Sequence, residues 1–337
     1  MRHLLLTEFL HADAASFSAA SASMKREGRA MLEAVAADLI RVPGVELSVI
    51  LCEAAVNQVA LPPATEVRIV ADSDWQSAAV TVASQFPLTE LLLIAPECDG
   101  VLERSTSHLR AQGVNVWGPS PEVMAIGCNK WLTYEFLRRH NIATIPTRRL
   151  SGPDGLPSDW DCCVVKPVDG AGCEGIVRCS RAAVREMMST VNDPSKWVVQ
   201  PWLEGRSCSV GIIGQGPGQP PVVLPLAGQS IQWTSDRPAY LGGIIPAECS
   251  SADEQQLMDL LQVLLEVLNI DCGYVGIDLL QTTTDGVTDW LITEINPRLC
   301  SSYIGYRRLA MSNPAELMLQ ESSLVQWNSE RVVFRVN

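Results

Sequence analysis

The segment that most narrows the choice of fold is Glu90-Leu91-Leu92-Leu93-Ile94-Ala95-Pro96-Glu97. A short, strongly apolar run of this kind suits a strand buried on both faces of a parallel sheet. Residues 2–9 (RHLLLTEF), 45–52 (VELSVILC) and 67–70 (VRIV) read as further strands. Between them, residues 27–40 place Met31, Leu32, Val35 and Leu39 at helical spacing, and residues 75–85 and 101–112 read as two more helices. This alternation over the first 120 residues predicts an open α/β sheet with crossover helices. No glycine-rich dinucleotide fingerprint occurs in it, so nothing demands NAD.

A chain of 337 residues is too long for one small core and suits two or three packed subdomains. A second unit begins near Ser120, with helices at 121–126 and 130–140. A strand at 162–169 (CCVVKPVD) then enters a glycine-rich loop, and residues 197–205 (WVVQPWLEG) read as another strand. Beyond them, 207–214 and 222–228 read as strands with a flexible turn at 214–221. A polar loop is expected through Gly242 and Gly243, then a long helix over 254–268. Residues 273–283 and 288–296, with a turn at Asp285 and Gly286, read as a hairpin.

Candidate chemistry concentrates in that hairpin. Glu294 and Asn296 are two apart on a strand and share a face, and an antiparallel partner can bring Asp278 beside them. Two carboxylates and an amide oxygen make a hard, all-oxygen cluster suited to Mg²⁺ bridging phosphate oxygens. Arg298 follows at the strand end, where a fixed guanidinium can steady charge on a transferring phosphoryl group. Lys166 closes an apolar strand with the reach to contact phosphate. Gly170, Gly172 and Gly175 behind it allow backbone N–H groups to approach phosphate oxygens. Lys130 opens a helix. Gln200 sits in a strand that can offer backbone groups to an adenine edge, with Trp202 and Leu203 as apolar walls and Glu204 close behind. For several of these residues taken singly, a bland account competes: a solvated carboxylate for Asp278, a surface lysine for Lys130, a core strand for 197–203.

Taken in order, these elements resemble the ATP-grasp superfamily from about Asn129 to Arg298. The resemblance implies an α/β (α+β) architecture. An N-terminal α/β domain (1–120) would precede a lid subdomain (121–200) and a C-terminal subdomain with the metal site (201–337). It further implies that Lys130 and Lys166 contact phosphates, that 169–175 closes over ATP, that Gln200 faces the adenine amino group and that Leu203 supplies the hinge backbone. Asp278, Glu294 and Asn296 would hold Mg²⁺, with Mn²⁺ as an alternative ion, and Arg298 matches the arginine of the family's Asn-Pro-Arg ending. The implied reaction activates a carboxylate as an acyl phosphate and joins it to an amine. Two departures stand out. Ser207 replaces the glutamate that often holds the ribose, leaving that contact to Glu204 or to none. Gly276 stands where D-alanine ligases carry an arginine.

Thr7-Glu8-Phe9, Lys25-Arg26-Glu27-Gly28, Met31-Leu32, Tyr240 to Pro246, Ser301-Ser302 and Gly305-Tyr306 are similar to the tyramine–glutamate ligases of methanofuran-type cofactor synthesis. That likeness implies glutamate as the acid and an aromatic or amino-acid amine, with Glu8 and Glu27 on the substrate side. A carboxylate at a helix start is the plainer account of Glu27, and an ordinary turn that of Tyr240 to Pro246. A ribotide or bicarbonate ligase and a non-catalytic nucleotide sensor are the other readings. Many such enzymes are dimers, so a homodimer is a further expectation. The net charge of −13 argues against a general nucleic-acid binder. No run reaches the roughly 18 apolar residues of a membrane span. Residues 4–6 read as a first strand and not as a leader, which predicts a cytoplasmic protein with its eleven cysteines reduced. Four dispersed histidines offer no zinc spacing.

Overall fold

Leu5 and Leu6 are neighbours on one strand, point to opposite faces and are both fully buried, so the first sheet must be covered on both sides. In the computed structural model, which describes residues 1–71, 74–86, 88–151, 155–320, 322 and 324–336, that strand is the centre of a five-stranded sheet. Its members are β1 (Arg2–Glu8), β2 (Val45–Cys52), β3 (Glu66–Val70), β4 (Glu90–Ile94) and β5 (Asn115–Trp117). They are all parallel and run in the order β3-β2-β1-β4-β5. Helix Ala22–Leu39 covers one face through Met31, Leu32, Val35 and Leu39, with Leu6 beneath it. Helices Trp75–Gln85 and Val101–Ala111 cover the other, where Leu5 packs with Trp75, Leu102 and Leu109.

A four-stranded antiparallel sheet follows: β6 (Arg148–Arg149), β7 (Cys162–Pro167), β8 (Val177–Ser180) and β9 (Trp197–Pro201), in the order β6-β9-β7-β8. Cys163, Val165 and Val199 pack against Val184 of helix Arg181–Thr190. The largest sheet holds β10 (Arg206–Ile213), β11 (Val222–Val223), β12 (Ala227–Thr234), β13 (Arg237–Ile245), β14 (Tyr274–Thr284), β15 (Val287–Asn296) and β16 (Val332–Arg335). Its main path is β15-β14-β10-β12-β13-β16, and β11 pairs with β10. One face packs Val210, Ile212, Val275, Ile277 and Ile292 on Leu257, Leu261 and Leu264 of helix Ser251–Val267. The other face is the floor of the site.

The β14–β15 hairpin turns at Asp285 and Gly286, both at positive φ, as its sequence predicts. A register shift follows Asp278: Asp278 pairs with Glu294 but Leu279 pairs with Ile292, so Thr293 is an extra residue on β15. The polar loop expected through Gly242 and Gly243 is instead the β12–β13 antiparallel pair. Residues 229–234 alternate partly buried with exposed, a one-sided period-two pattern easily taken for a loop. The expected 222–228 strand is broken at residues 224–226: Val222 and Val223 pair with β10 as β11, and Ala227 and Gly228 pair with it as the start of β12. The chain leaves β9 at Pro201, not Gly205. The helix expected from residue 27 starts at Ala22, because Ser21 caps it by accepting from Met24 N. Glu27 therefore lies well inside a helix, which removes the helix-start account of its charge. Two short helices, Phe9–Ala12 and Ala14–Ala19, follow β1. Among the described residues no helix is long and apolar enough to cross a membrane.

Candidate active site

A cleft of about 560 Å³ lies between the four-stranded sheet and the open face of the large sheet, within the size range of small-molecule sites. The floor comes from alternate positions of neighbouring strands: Ser209 on β10, Gln229 on β12, Tyr240 on β13, Asp278 on β14, Glu294 and Asn296 on β15. Pleating explains why they gather, since residues two apart share a face and the five strands are laid side by side.

Asp278 stands opposite Glu294 in the ladder. Burial and the Glu294 charge push the Asp278 carboxyl up to about 6. Two amides hold it in place: Gln229 Nε2 donates to Oδ1 at 2.8 Å and Asn296 Nδ2 donates to Oδ2 at 3.0 Å. Burial also works against the Glu294 charge, but Lys130 and Lys166 outweigh it and hold that carboxyl below its ordinary value. The ammonium of Lys166 is 3.1 Å from Glu294 Oε1, and that of Lys130 is 3.4 Å from Oε2. Lys130 Nζ also donates to Gly170 O at 2.6 Å, which ties it to the glycine loop. That loop needs its glycines, since Gly172 and Gly175 both take positive φ. It is bridged to the N-terminal domain by Ser21 Oγ donating to Glu174 at 2.8 Å and Asp99 N donating to Asp169 at 2.8 Å.

Arg298 ends the site. Its Nε and Nη2 donate to the two oxygens of buried Glu97 at 2.9 and 3.1 Å, a paired arrangement that fixes the guanidinium plane. Burial opposes its charge, but Glu97 offsets that and keeps it protonated. At the far end of the cleft, buried Gln200 donates to Thr147 Oγ1 at 2.9 Å. Trp202 packs edge-on to Trp233, its Nε1 donates to Glu204 at 2.6 Å, and Arg178 lies over its ring at 4.4 Å. Leu203, Glu204 and Ser207 line this end as well.

Of the residues singled out in the sequence, Lys130, Lys166, Gly170, Gly172, Gln200, Trp202, Leu203, Glu204, Asp278, Glu294, Asn296 and Arg298 line this one cleft, as does Glu27, whereas Gly175 and Glu8 do not. The fit to a divalent cation can be judged from the donors. No group of three His, Cys, Asp or Glu gathers among the described residues, so a soft or imidazole-bound metal has no cage. The oxygen set of Asp278, Glu294 and Asn296 suits a hard cation, and the mutual repulsion of two facing carboxylates is what such an ion relieves. Glu97 and Gln229, which orient Arg298 and Asp278, were not read from the sequence. Gln229 was legible in the alternation of β12. Glu97 was legible only through position, since ligands of open α/β sheets gather beyond the carboxyl ends of strands, and it follows β4.

Residues 128–302 match the model of the ATP-grasp domain. The chain belongs to the ATP-grasp family. Along nearly all its length it is similar to the tyramine–L-glutamate ligase of Methanocaldococcus jannaschii, with 22% identity over 313 residues, 92% of this chain and 86% of that protein. Among solved structures, an ATP-grasp superfamily protein from Archaeoglobus fulgidus superposes with a TM-score of 0.71 at 20% identity, covering 98% of this chain and 91% of that one. The L-amino acid ligase of Bacillus licheniformis gives 0.67 at 16%, covering 97% and 75%. At these identities the structural likeness establishes the ATP-grasp fold, an α+β arrangement with an α/β domain in front. Every residue named as lining the cleft other than Glu27 falls within the matched span.

Proposed function

We propose that the protein activates a carboxylate, glutamate in the first instance, as an acyl phosphate and joins it to an amine of the tyramine or tyrosine type. One observation carries the chemical part: Glu294 faces two lysines and a second carboxylate on the floor of the cleft, with a fixed arginine at its end. The choice of acid and amine is supported by the likeness to the tyramine–L-glutamate ligase.

In this reading the adenine lies between Trp202, Leu203 and Gln200, and the triphosphate runs under the glycine loop toward Lys130 and Lys166. Asp278, Glu294 and Asn296 would hold Mg²⁺, which supplies screening of the phosphate oxygens. The two lysines give up part of their contact with Glu294 to the phosphates. The substrate carboxylate attacks the γ-phosphorus, ADP leaves, and Arg298 offsets the charge on the transferred group. The amine then attacks the acyl carbon and expels phosphate. The loop at 169–175, bridged to Ser21 and Asp99, keeps water from the acyl phosphate. The reaction asks little proton chemistry of this floor, in keeping with the lack of histidine among the residues lining the cleft.

The test is ADP release with Mg-ATP across a panel of acids, each with tyramine, tyrosine, other amino acids or no amine. Turnover requiring glutamate and an aromatic amine is the expected result. Turnover with another acid and amine overturns the substrate assignment and leaves the ligase. Tight ATP binding without turnover in any pair overturns the ligase reading for these substrates.

A further inference from the structure

The five-stranded sheet reverses its strand order between β1 and β4, with β2 and β3 on one side of β1 and β4 and β5 on the other. Open α/β sheets bind ligands beyond the carboxyl ends of their strands at such a switch point. A small cavity of about 40 Å³ lies there. Leu10 follows β1, Ile94 and Pro96 close β4, and Met24 and Met31 come from helix Ala22–Leu39. Glu27 and Arg298 line both this cavity and the ATP cleft, and so do Ala171 and Gly172 of the glycine loop. The cavity therefore opens on the acyl-transfer end of the cleft, and the loop that covers the phosphates forms part of its wall.

Its two carboxylates differ sharply. Glu8 is already engaged: it caps helix Phe9–Ala12 and is paired with the buried ring of His11. Gly28 allows this, since a Cβ there would stand 2.6 Å from Glu8 Oε1. Glu27 is held by the Ser301 hydroxyl and has no ion-pair partner within 4.0 Å among the described residues; Arg298, whose charge acts on it, is committed to Glu97. An anionic group with no paired cation, beside an apolar cavity, is the complement of an ammonium with a hydrocarbon tail.

We propose that this cavity is the ammonium end of the amine subsite, with Glu27 binding the substrate ammonium, the first carbons of the tail lying over Met24, Met31, Ile94 and Pro96, and the remainder reaching into the adjoining cleft. The assignment rests on the carboxylate-activating reading above. Glu27 takes one proton from the incoming ammonium and passes it to solvent. The amine lone pair forms the C–N bond as the bond from the acyl carbon to the phosphate oxygen breaks, and the second nitrogen proton leaves with phosphate. Burial raises the Glu27 carboxyl above its ordinary value, with Arg298 pulling it down and Glu97 and Glu8 adding to the rise, so it is a better base than a free glutamate.

Hydroxylamine separates the two halves of the reaction. It is largely uncharged at neutral pH, so it traps an acyl phosphate as a hydroxamate without ammonium recognition. For Glu27→Gln, amide formation at limiting amine is expected to fall about 100-fold. Hydroxamate formation and the KM for ATP stay within about threefold, because neither uses the lost charge. Met24→Arg, which places a cation in the cavity and leaves Glu27 intact, gives the same split and covers a folding failure of the first variant. Equal loss of hydroxamate and amide, or retention of both, overturns the proposal. Wild-type protein that makes hydroxamate but no amide with any apolar primary amine also overturns it, while carboxylate activation stands. Absence of both hydroxamate and ADP release from the wild type removes the ligase reading itself.

Discussion

The parallel sheet at the N-terminus and the large antiparallel sheet are built on opposite terms with solvent. In β1 six of the seven residues are buried, and Leu5 and Leu6 feed two different cores. In β12 burial gives way to an alternation: Gln229, Ile231 and Trp233 line the cleft half-buried, and Ser230, Gln232 and Thr234 between them are exposed. The covered sheet has stability to lose and little chemistry. The open sheet keeps like charges facing one another and holds the chemistry.

Three substitutions sharpen or break that contrast. Glu294→Ala carries the largest expected effect: ADP production falls by about three orders of magnitude or more, while circular dichroism stays near wild type. Full activity in that variant sinks the assignment of the floor. Leu6→Ala, in the covered sheet, is expected to cost about 2–5 kcal/mol in denaturant unfolding. Its turnover per folded molecule should match the wild type, and a fall in turnover beyond the unfolded fraction would erase the contrast. Asp278→Asn is the subtlest. A carboxyl raised to about 6 in the fold stabilises it only while protonated, and that contribution is lost as pH rises through the folded value. Removing the charge is therefore expected to stabilise the metal-free protein by roughly 1–2 kcal/mol at neutral pH while ADP release is lost. Unchanged or lower stability would show that Gln229 and Asn296 already compensate the charge.

The same contrast governs what could be read from the sequence. The run at residues 90–94 and the apolar stretch of β1 announce themselves because burial on both faces leaves no polar position to confuse the pattern. The β14–β15 hairpin was legible from its turn and its Glu-Ile-Asn-Pro-Arg ending. The β12–β13 pair was not, because its cleft-facing positions (Gln229, Ile231, Trp233, Tyr240) are only half-buried and Ser230 and Gln232 between them are exposed, where a core strand carries Val or Ile. The lysines were legible through their local context, Lys166 at the end of an apolar strand and Lys130 at the start of a helix. Glu97, Gln229 and the engaged state of Glu8 depend on partners far along the chain, and no local pattern encodes those meetings.

The extra residue at Thr293 sets the phase of the reactive strand. Ile292 belongs to the core beneath the sheet and Glu294 to the cleft above it, two positions that strict alternation would put on one face. With one residue spare between them, the strand changes phase, and Glu294 and Asn296 are counted from that point and not from the hairpin turn. Residue number along β15 thus acts as a reading frame. Deleting Thr293 would make Ile292 and Glu294 direct neighbours on opposite faces, as regular alternation requires, so Trp290 and Ile292 would keep the core, Glu294 and Asn296 would keep the cleft, and only the bulge beside Asp278 would be lost.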